Sequence, residues 1–464
     1  MLISLFRVPA QGGGVFIAPQ RARFFRHWGL YITAFSAGLV LGIGVSGNVS
    51  RHISLGLPAE KVIALQGTLL DDPRALSNGF GMAYLDLEKS TGTGGVRTSA
   101  KGKALVFFPE RSIGALKEFG RGSGVYVEGN FTDQGNSLFR ASAVHVYRPA
   151  SALEQFRTGL RQELTRRFTG NTAAQGAGGG AASWGGMALA LLLGIRDNLD
   201  TDLARAYRDA GASHVLSLSG MHLAVISALI AFILKGPLGL KASSLVGAFF
   251  ILLYVFLVGS QPSLDRSVIM YLLGVLAVFG ALPRDPVSLL GLAFLVQIVW
   301  RNDSGFAVSF ILSYLALWGI LRIGEGIHEL WQGKIPEPVL SPLTASLGAF
   351  IATAAVSVYC FGELRPIGIV AGLLIVPLTT VFMIGAMIWI ALSFCVPVLT
   401  VPLGMGLSVL YRALDTLVGF AARAPGLVQP NFPLLLGLSL GLSALLICLG
   451  HKRRALRSCL APLP

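Results

Sequence analysis

The chain has 464 residues, of which 53% are hydrophobic and only 13% charged. Soluble domains carry about a quarter charged residues, so this composition excludes an ordinary soluble globular domain and points to a membrane protein. The net charge of +14 serves topology in part, because cytoplasmic loops collect Lys and Arg. It also suits an anionic partner, nucleic acid or acidic lipid.

Residues 1–50 open with Arg7, Arg21, Arg23, Arg26 and His27, ahead of an uncharged run from Leu30 to Val49. The basic lead is long and no A-x-A site follows, which favours an uncleaved first span over a signal peptide. Trp28 and Tyr31 are its expected interface anchors. Residues 51–150 change character, with short alternating runs at 104–108, 124–129 and 139–147. Turn-rich stretches such as Asp71-Asp72-Pro73 separate them, and the pattern predicts a small β barrel. Residues 151–183 begin with apolar residues at helical spacing (Leu153, Phe156, Leu160, Leu164, Phe168) and basic residues between them. That predicts a helix lying at the membrane surface, and a Gly-rich joint over 176–181 follows.

The membrane domain is expected over 184–450. Trp184 to Ile195 is too short to span, since roughly 20 apolar residues are needed, and reads as a re-entrant or half helix. Asp200 is a natural N-cap for an amphipathic helix that Gly211 stops. Spans are predicted at 213–234, 243–260, 266–282, 286–300, 305–323, 341–361, 366–394, 397–420 and 432–450. With the first anchor they make about ten. An even number places the basic amino terminus and the basic tail 451–464 on the same, cytoplasmic, side, and leaves the β domain outside the cytoplasm.

The stretch that stands out is 194–223, where charges, histidines and serines abut a long apolar run. Polar groups at membrane depth are costly and mark a cavity or pathway. His214 and His222 are eight apart, without the spacing of four or the acidic partner of a zinc pair. Each is read either as bonded to backbone at a break around Ser219-Gly220 or as lining a polar path. The four cysteines, Cys360, Cys395, Cys448 and Cys459, lie far apart and read as small apolar fillers. Neither a metal site nor a cofactor is expected.

Leu191-Leu192-Leu193-Gly194-Ile195-Arg196, then Gly211-Ala212-Ser213-His214-Val215-Leu216, then Leu218-Ser219-Gly220-Met221-His222 resemble the membrane domain of the ComEC family. Its members are inner-membrane DNA-uptake channels of natural competence. Leu218 and Met221 depart mildly from the family's I-S-G-L-H core. Pro262 and Arg266, with one residue more between them, resemble its P-x-x-R element, and Gly305 to Phe310, with Ser309, its G-F-x-L-S-F. Pro366 to Pro377 resembles a broken helix, without the usual Asn.

The resemblance implies an OB-like domain at 51–150, which would bind single strands by stacking bases within a basic groove. Lys101, Lys103, Phe107, Arg111, Arg121 and Tyr126 are its candidates, with Phe108 and Phe139. The other reading of the aromatics is that they fill the barrel core. Channel-lining or motif residues would be Arg196, His214, Ser217, Ser219, Gly220, His222, Arg266 and Ser309. No H-x-H-x-D-H occurs, so the metallo-β-lactamase-like domain of many relatives is not expected; nor is a Walker motif present.

The implied fold is a polytopic α-helical membrane protein of about ten spans, plus a re-entrant or amphipathic element and an inserted OB-like extracytoplasmic β domain. The implied function is non-enzymatic passage of single-stranded DNA through the bacterial inner membrane, both termini cytoplasmic. A separate DNA receptor, nuclease and cytoplasmic ATPase or helicase would be its partners. The alternative is a carrier for a small or lipid-linked solute. No clear repeat relates 184–330 to 331–450, which disfavours it.

Overall fold

The computed structural model describes residues 53–460, apart from 77–78, 133–137, 174–183, 283, 301–307 and 429–431. The expected first span at 30–49 lies outside the described residues.

The amino-terminal part is a seven-stranded sheet. Its strands are β1 (Val62–Leu69), β2 (Arg74–Ala75), β3 (Gly81–Gly92), β4 (Arg97–Ser99), β5 (Lys103–Phe108), β6 (Gly124–Phe131) and β7 (Leu138–Arg148). The helix α1 (Glu110–Phe119) stands between β5 and β6. The alternating runs in the sequence become β5, β6 and β7, because period-2 apolar residues must share one face. Pairings run in a cycle: β1 with β3, β3 with β5, β5 with β7, β7 with β6 and β6 with β1. All are antiparallel except β5 with β7. Leu65, Leu85, Val106, Phe108, Val125, Val127 and Phe139 are fully buried inside.

The helices follow in order: α2 (Ala152–Ala173), α3 (Trp184–Leu193), α4 (Thr201–Asp209), α5 (Ser213–Leu216), α6 (Gly220–Val258), α7 (Pro262–Phe279) and α8 (Pro286–Trp300). Then come α9 (Val308–Gly319), α10 (Glu325–Trp331), α11 (Glu337–Phe361), α12 (Ile367–Cys395), α13 (Thr400–Ala422) and α14 (Phe432–Leu460). A π turn, Ile320–Gly324, joins α9 to α10.

Among the described residues, eight helical segments are long and apolar enough to cross a membrane: both halves of α6, α7, the α9–α10 stretch, α11, α12, the α13 stretch and α14. The protein is thus a largely helical membrane protein with an amino-terminal sheet domain. The predicted span 286–300 is α8, whose 15 residues fall short of the usual length. The predicted span over 213–234 begins only at Gly220, and the following one is reached through a break at Gly239, where φ is 70°. Near Pro377 the sequence suggests a broken helix, yet α12 runs unbroken from Ile367 to Cys395. Membrane helices tolerate such a proline because neighbouring groups satisfy the freed carbonyl.

All ten residues of α3 are buried, so it is a central peg of the main apolar core rather than a lipid-facing element. Gly186 is indispensable there, since a Cβ would collide with the Asn198 carbonyl of the loop that returns along the helix.

Candidate functional site

Three arginines on α2 bind the ends of other helices, and two of them, Arg157 and Arg161, also reach Asp72 of the sheet domain. Arg157, only 1% exposed, donates from Nε to the Phe256 carbonyl at 2.8 Å. Its two terminal nitrogens grip Asp72 of the sheet domain at 3.0 and 2.6 Å. Arg161 donates to the Leu257, Val258 and Leu193 carbonyls at 2.9, 3.3 and 3.4 Å. Arg167 donates to the Ser393 carbonyl at 2.7 Å and covers the Phe394 ring. The last carbonyls of a helix have no partner within it and carry partial negative charge. One helix therefore satisfies the carboxyl ends of α3, α6 and α12. Leu153 and Phe156 are left exposed while Arg157, Thr158 and Phe168 are buried, so the inward face of α2 carries both basic and apolar side chains.

Further pairs make the junction firm. Lys117 meets Asp197 at 2.6 Å, the Ala75 amide donates to Asp197 at 3.2 Å, and Arg121 pairs with Glu154 at 2.5 Å. Burial works against ionisation of Asp72, but the Arg157 and Arg161 guanidiniums outweigh it and hold the carboxyl below its ordinary range. A depressed carboxylate contributes stability that is present above the unfolded pKa and lost as pH falls through the folded one. The thermal midpoint should therefore fall as pH drops below about 4. Asp72→Asn should lower the midpoint at neutral pH and flatten that acid limb; an unchanged limb would show that Asp72 is not its source.

At the start of the membrane helices, Leu218 is buried and the backbone breaks between α5 and α6. Ser219 caps α6, its Oγ accepting the Met221 amide at 3.3 Å. His222, fully buried, folds back so that Nδ1 accepts the Ser219 amide at 3.2 Å. This reciprocal cap fixes the turn and leaves the imidazole proton on Nε2. That atom is buried with no hydrogen-bond partner among the described residues.

Gly220 faces α7. A Cβ there would lie 2.7 Å from Ser267 Oγ and 3.0 Å from Arg266 Nη2. Arg266 is 8% exposed, and its Nε donates to Ser313 Oγ of α9 at 2.9 Å. Ser217 Oγ donates to the His214 carbonyl and Arg196 to the Leu216 carbonyl, at 2.9 and 3.1 Å, so these two hold the loop. His214 and Ser309 are exposed, the latter in the first turn of α9. The structure thus gathers Ser219, Gly220, His222 and Arg266, while Arg196, His214 and Ser217 support the adjoining turn. Ser309 lies apart from these bonds. Gly305, Phe306 and Ala307 lie outside the described residues.

In the sheet domain, Phe108 and Phe139 are core. Lys103 and Phe107 alternate outward on β5, opposite Asp86 and Met82 of β3. Phe107 also pairs with Arg140 of β7, whose guanidinium covers the Phe80 ring at 5.2 Å. Tyr84, 46% exposed, sits opposite Leu105 on the same face. Tyr84, Phe80 and Arg140 escaped sequence reasoning, because only strand pairing brings β3, β5 and β7 side by side. The other candidates lie elsewhere: Tyr126 faces Gln66 and His145, Arg111 reaches the Ser142 carbonyl, Arg121 is paired with Glu154, and Lys101 bridges to Ser54.

Comparison with known proteins locates this architecture. ComE operon protein 3 of Bacillus subtilis (strain 168) is 26% identical over 200 residues, covering 42% of this chain and 25% of that protein. An uncharacterized protein of Aquifex aeolicus (strain VF5) is 23% identical over 266 residues, covering 57% of this chain and 62% of its own length. The chain therefore spans less than two thirds of either relative. No solved structure matches. The competence protein family matches residues 191–454, from the end of α3 into α14. That stretch holds the capped break at Ser219, the Gly220–Arg266 contact and every candidate span among the described residues, and the chain belongs to the competence protein family.

Proposed function

We propose that the chain is an inner-membrane conduit that passes single-stranded DNA into the cytoplasm, acting as a transporter and not as an enzyme. The observation that carries this reading is a face of basic and aromatic residues clasped rigidly to the end of a family-matching helix bundle. The cyclic strand pairing, with one parallel contact and a helix before β6, supports an OB-like assignment for residues 53–150. In that reading bases stack on Tyr84 and Phe107 while Lys103 and Arg140 attract the backbone, each stacked base contributing about 1–3 kcal/mol. The polar turn at Ser217–His222 then borders the path. A separate receptor, nuclease and ATPase or helicase supply capture, strand removal and drive.

Deleting the gene should abolish labelled DNA in the cytoplasm, and restoring it with Tyr84→Ala and Phe107→Ala combined should recover only part of the signal. Normal accumulation in the deletion strain would sink the proposal. Reporter fusions test the orientation. Those after residue 150 should report the extracytoplasmic side and those after residue 454 the cytoplasm, because both ends of the chain carry basic flanks. A cytoplasmic signal at residue 150 would overturn it.

A further inference from the structure

Arg266 is a guanidinium buried among membrane helices, with no carboxylate bonded to it among the described residues. Nε is engaged by Ser313, and Nη1 has only the Met270 sulfur at 3.9 Å. Nη2 donates to no acceptor among the described residues and lies against Gly220. The neighbouring carboxylate, Asp265, is held by Ser260 Oγ at 2.8 and 2.6 Å. Burying an ion without a counter-charge is costly. Here the surroundings add to the imbalance. Gly220 begins α6 and Pro262 begins α7, and a helix amino terminus carries about half a positive charge. Two such ends converge on a cation.

The placement is built rather than incidental. Ser313 Oγ also bonds Ser263 Oγ at 3.1 Å. The guanidinium stands 5.9 Å from the centre of the Tyr314 ring. Tyr314 donates to Gln297 at 2.8 Å, and Gln297 donates to the Pro262 carbonyl at 2.9 Å. Groups from α7, α8 and α9 thus hold the Nε side, leaving the Nη edge turned toward the first turn of α6. Gly220, having no side chain, keeps that edge clear.

We propose that this junction is a seat for one phosphodiester oxyanion of the strand in transit, held between the Arg266 Nη edge and the first turn of α6. The proposal rests on the conduit reading above. A guanidinium edge presents parallel N–H donors matched to phosphate oxygens, and the amino end of α6 adds its partial positive charge. One phosphodiester carries the single negative charge the junction lacks. A lone seat also suits passage, since a conducting path needs sites weak enough to leave.

The test uses the full chain in nanodiscs of phosphatidylcholine, with a fluorescent oligothymidylate titrated over a range of salt. Each phosphate contact on a single strand contributes about 0.7 to the slope of log affinity against log salt. Arg266→Gln should flatten the slope by about that amount, leaving the share contributed by the sheet domain. Arg266→Lys should restore the slope, because it restores the charge. An oligothymidylate with an uncharged methylphosphonate backbone should bind wild type and Arg266→Gln alike. Arg266→Met serves as the second removal variant should Arg266→Gln not accumulate. Equal slopes in wild type and a folded removal variant would overturn the proposal. So would a slope difference erased by phosphatidylglycerol in the disc or by low inorganic phosphate, since the seat would then belong to a lipid headgroup or to free phosphate. No binding of oligothymidylate by wild type at low salt would instead overturn the conduit reading, and this proposal with it.

Discussion

Arg157→Met should destabilise the protein by about 3–5 kcal/mol, the range for removing one partner of a buried ion pair. The guanidinium is almost wholly buried and makes three kinds of contact at once: Asp72, Glu154 and the Phe256 carbonyl. A methionine fills the volume but leaves Asp72 with only the Arg121 amide at 3.2 Å and the Arg161 guanidinium at 3.5 Å, and the carbonyl unsatisfied. Arg157→Lys should recover little, because an ammonium cannot fork onto both carboxylate oxygens while also reaching the carbonyl. Combining Arg157→Met with Asp72→Ala should cost less than the two single changes summed, since the orphaned carboxylate is gone. Thermal midpoints of the protein in detergent measure all four. A wild-type midpoint for Arg157→Met would show that the clasp does not hold the sheet domain in place.

The second large effect is at Gly220. Gly220→Leu should abolish uptake per molecule while folded protein remains in the membrane. The added Cβ alone approaches Ser267 Oγ and Arg266 Nη2 within 3.0 Å, and the rest of the leucine must then occupy the space before the guanidinium. Both neighbours are ends of side chains, which can give way, so the helices still pack. Overpacking of this kind costs about 1–3 kcal/mol, less than a membrane domain needs to unfold. Gly220→Ala should be milder, pushing the guanidinium aside without filling its surroundings. Measuring membrane abundance beside cytoplasmic DNA separates blockage from loss of protein. If uptake falls only in proportion to abundance, Gly220 is a packing residue and the turn does not border the path.

The sequence by itself determined the elements that depend on local pattern. Apolar blocks of span length become helices of span length, because a helix rises about 1.5 Å per residue and the bilayer sets the length required. Period-2 runs become β5, β6 and β7, since alternation is the only way a strand can face a core and water at once. Asp200 caps α4 through the Asp202 amide, and Gly211 follows with φ of 71°. Both are short-range chemistry written in adjacent residues. The unusual stretch 194–223 is likewise visible as polar residues against an apolar run.

Only the tertiary structure decided which polar groups meet. The spacing of Leu153, Phe156, Leu160, Leu164 and Phe168 predicts a helix lying at the membrane surface, yet both Arg157 and Phe168 of α2 are buried within the protein. The carbonyls its arginines satisfy, at Leu193, Phe256, Leu257, Val258 and Ser393, come together only when three helices end at one place. The basic and aromatic face of the sheet domain has the same character. Tyr84, Phe107 and Arg140 are scattered along the chain, and strand register alone aligns them. Arg266 stands in the sequence with Asp265 beside it as the obvious partner. Folding turns that carboxylate to Ser260 and sets the guanidinium against Gly220, 46 positions earlier. Local pattern carries periodicity and capping, whereas the pairing of charges with distant backbone ends follows from packing geometry alone.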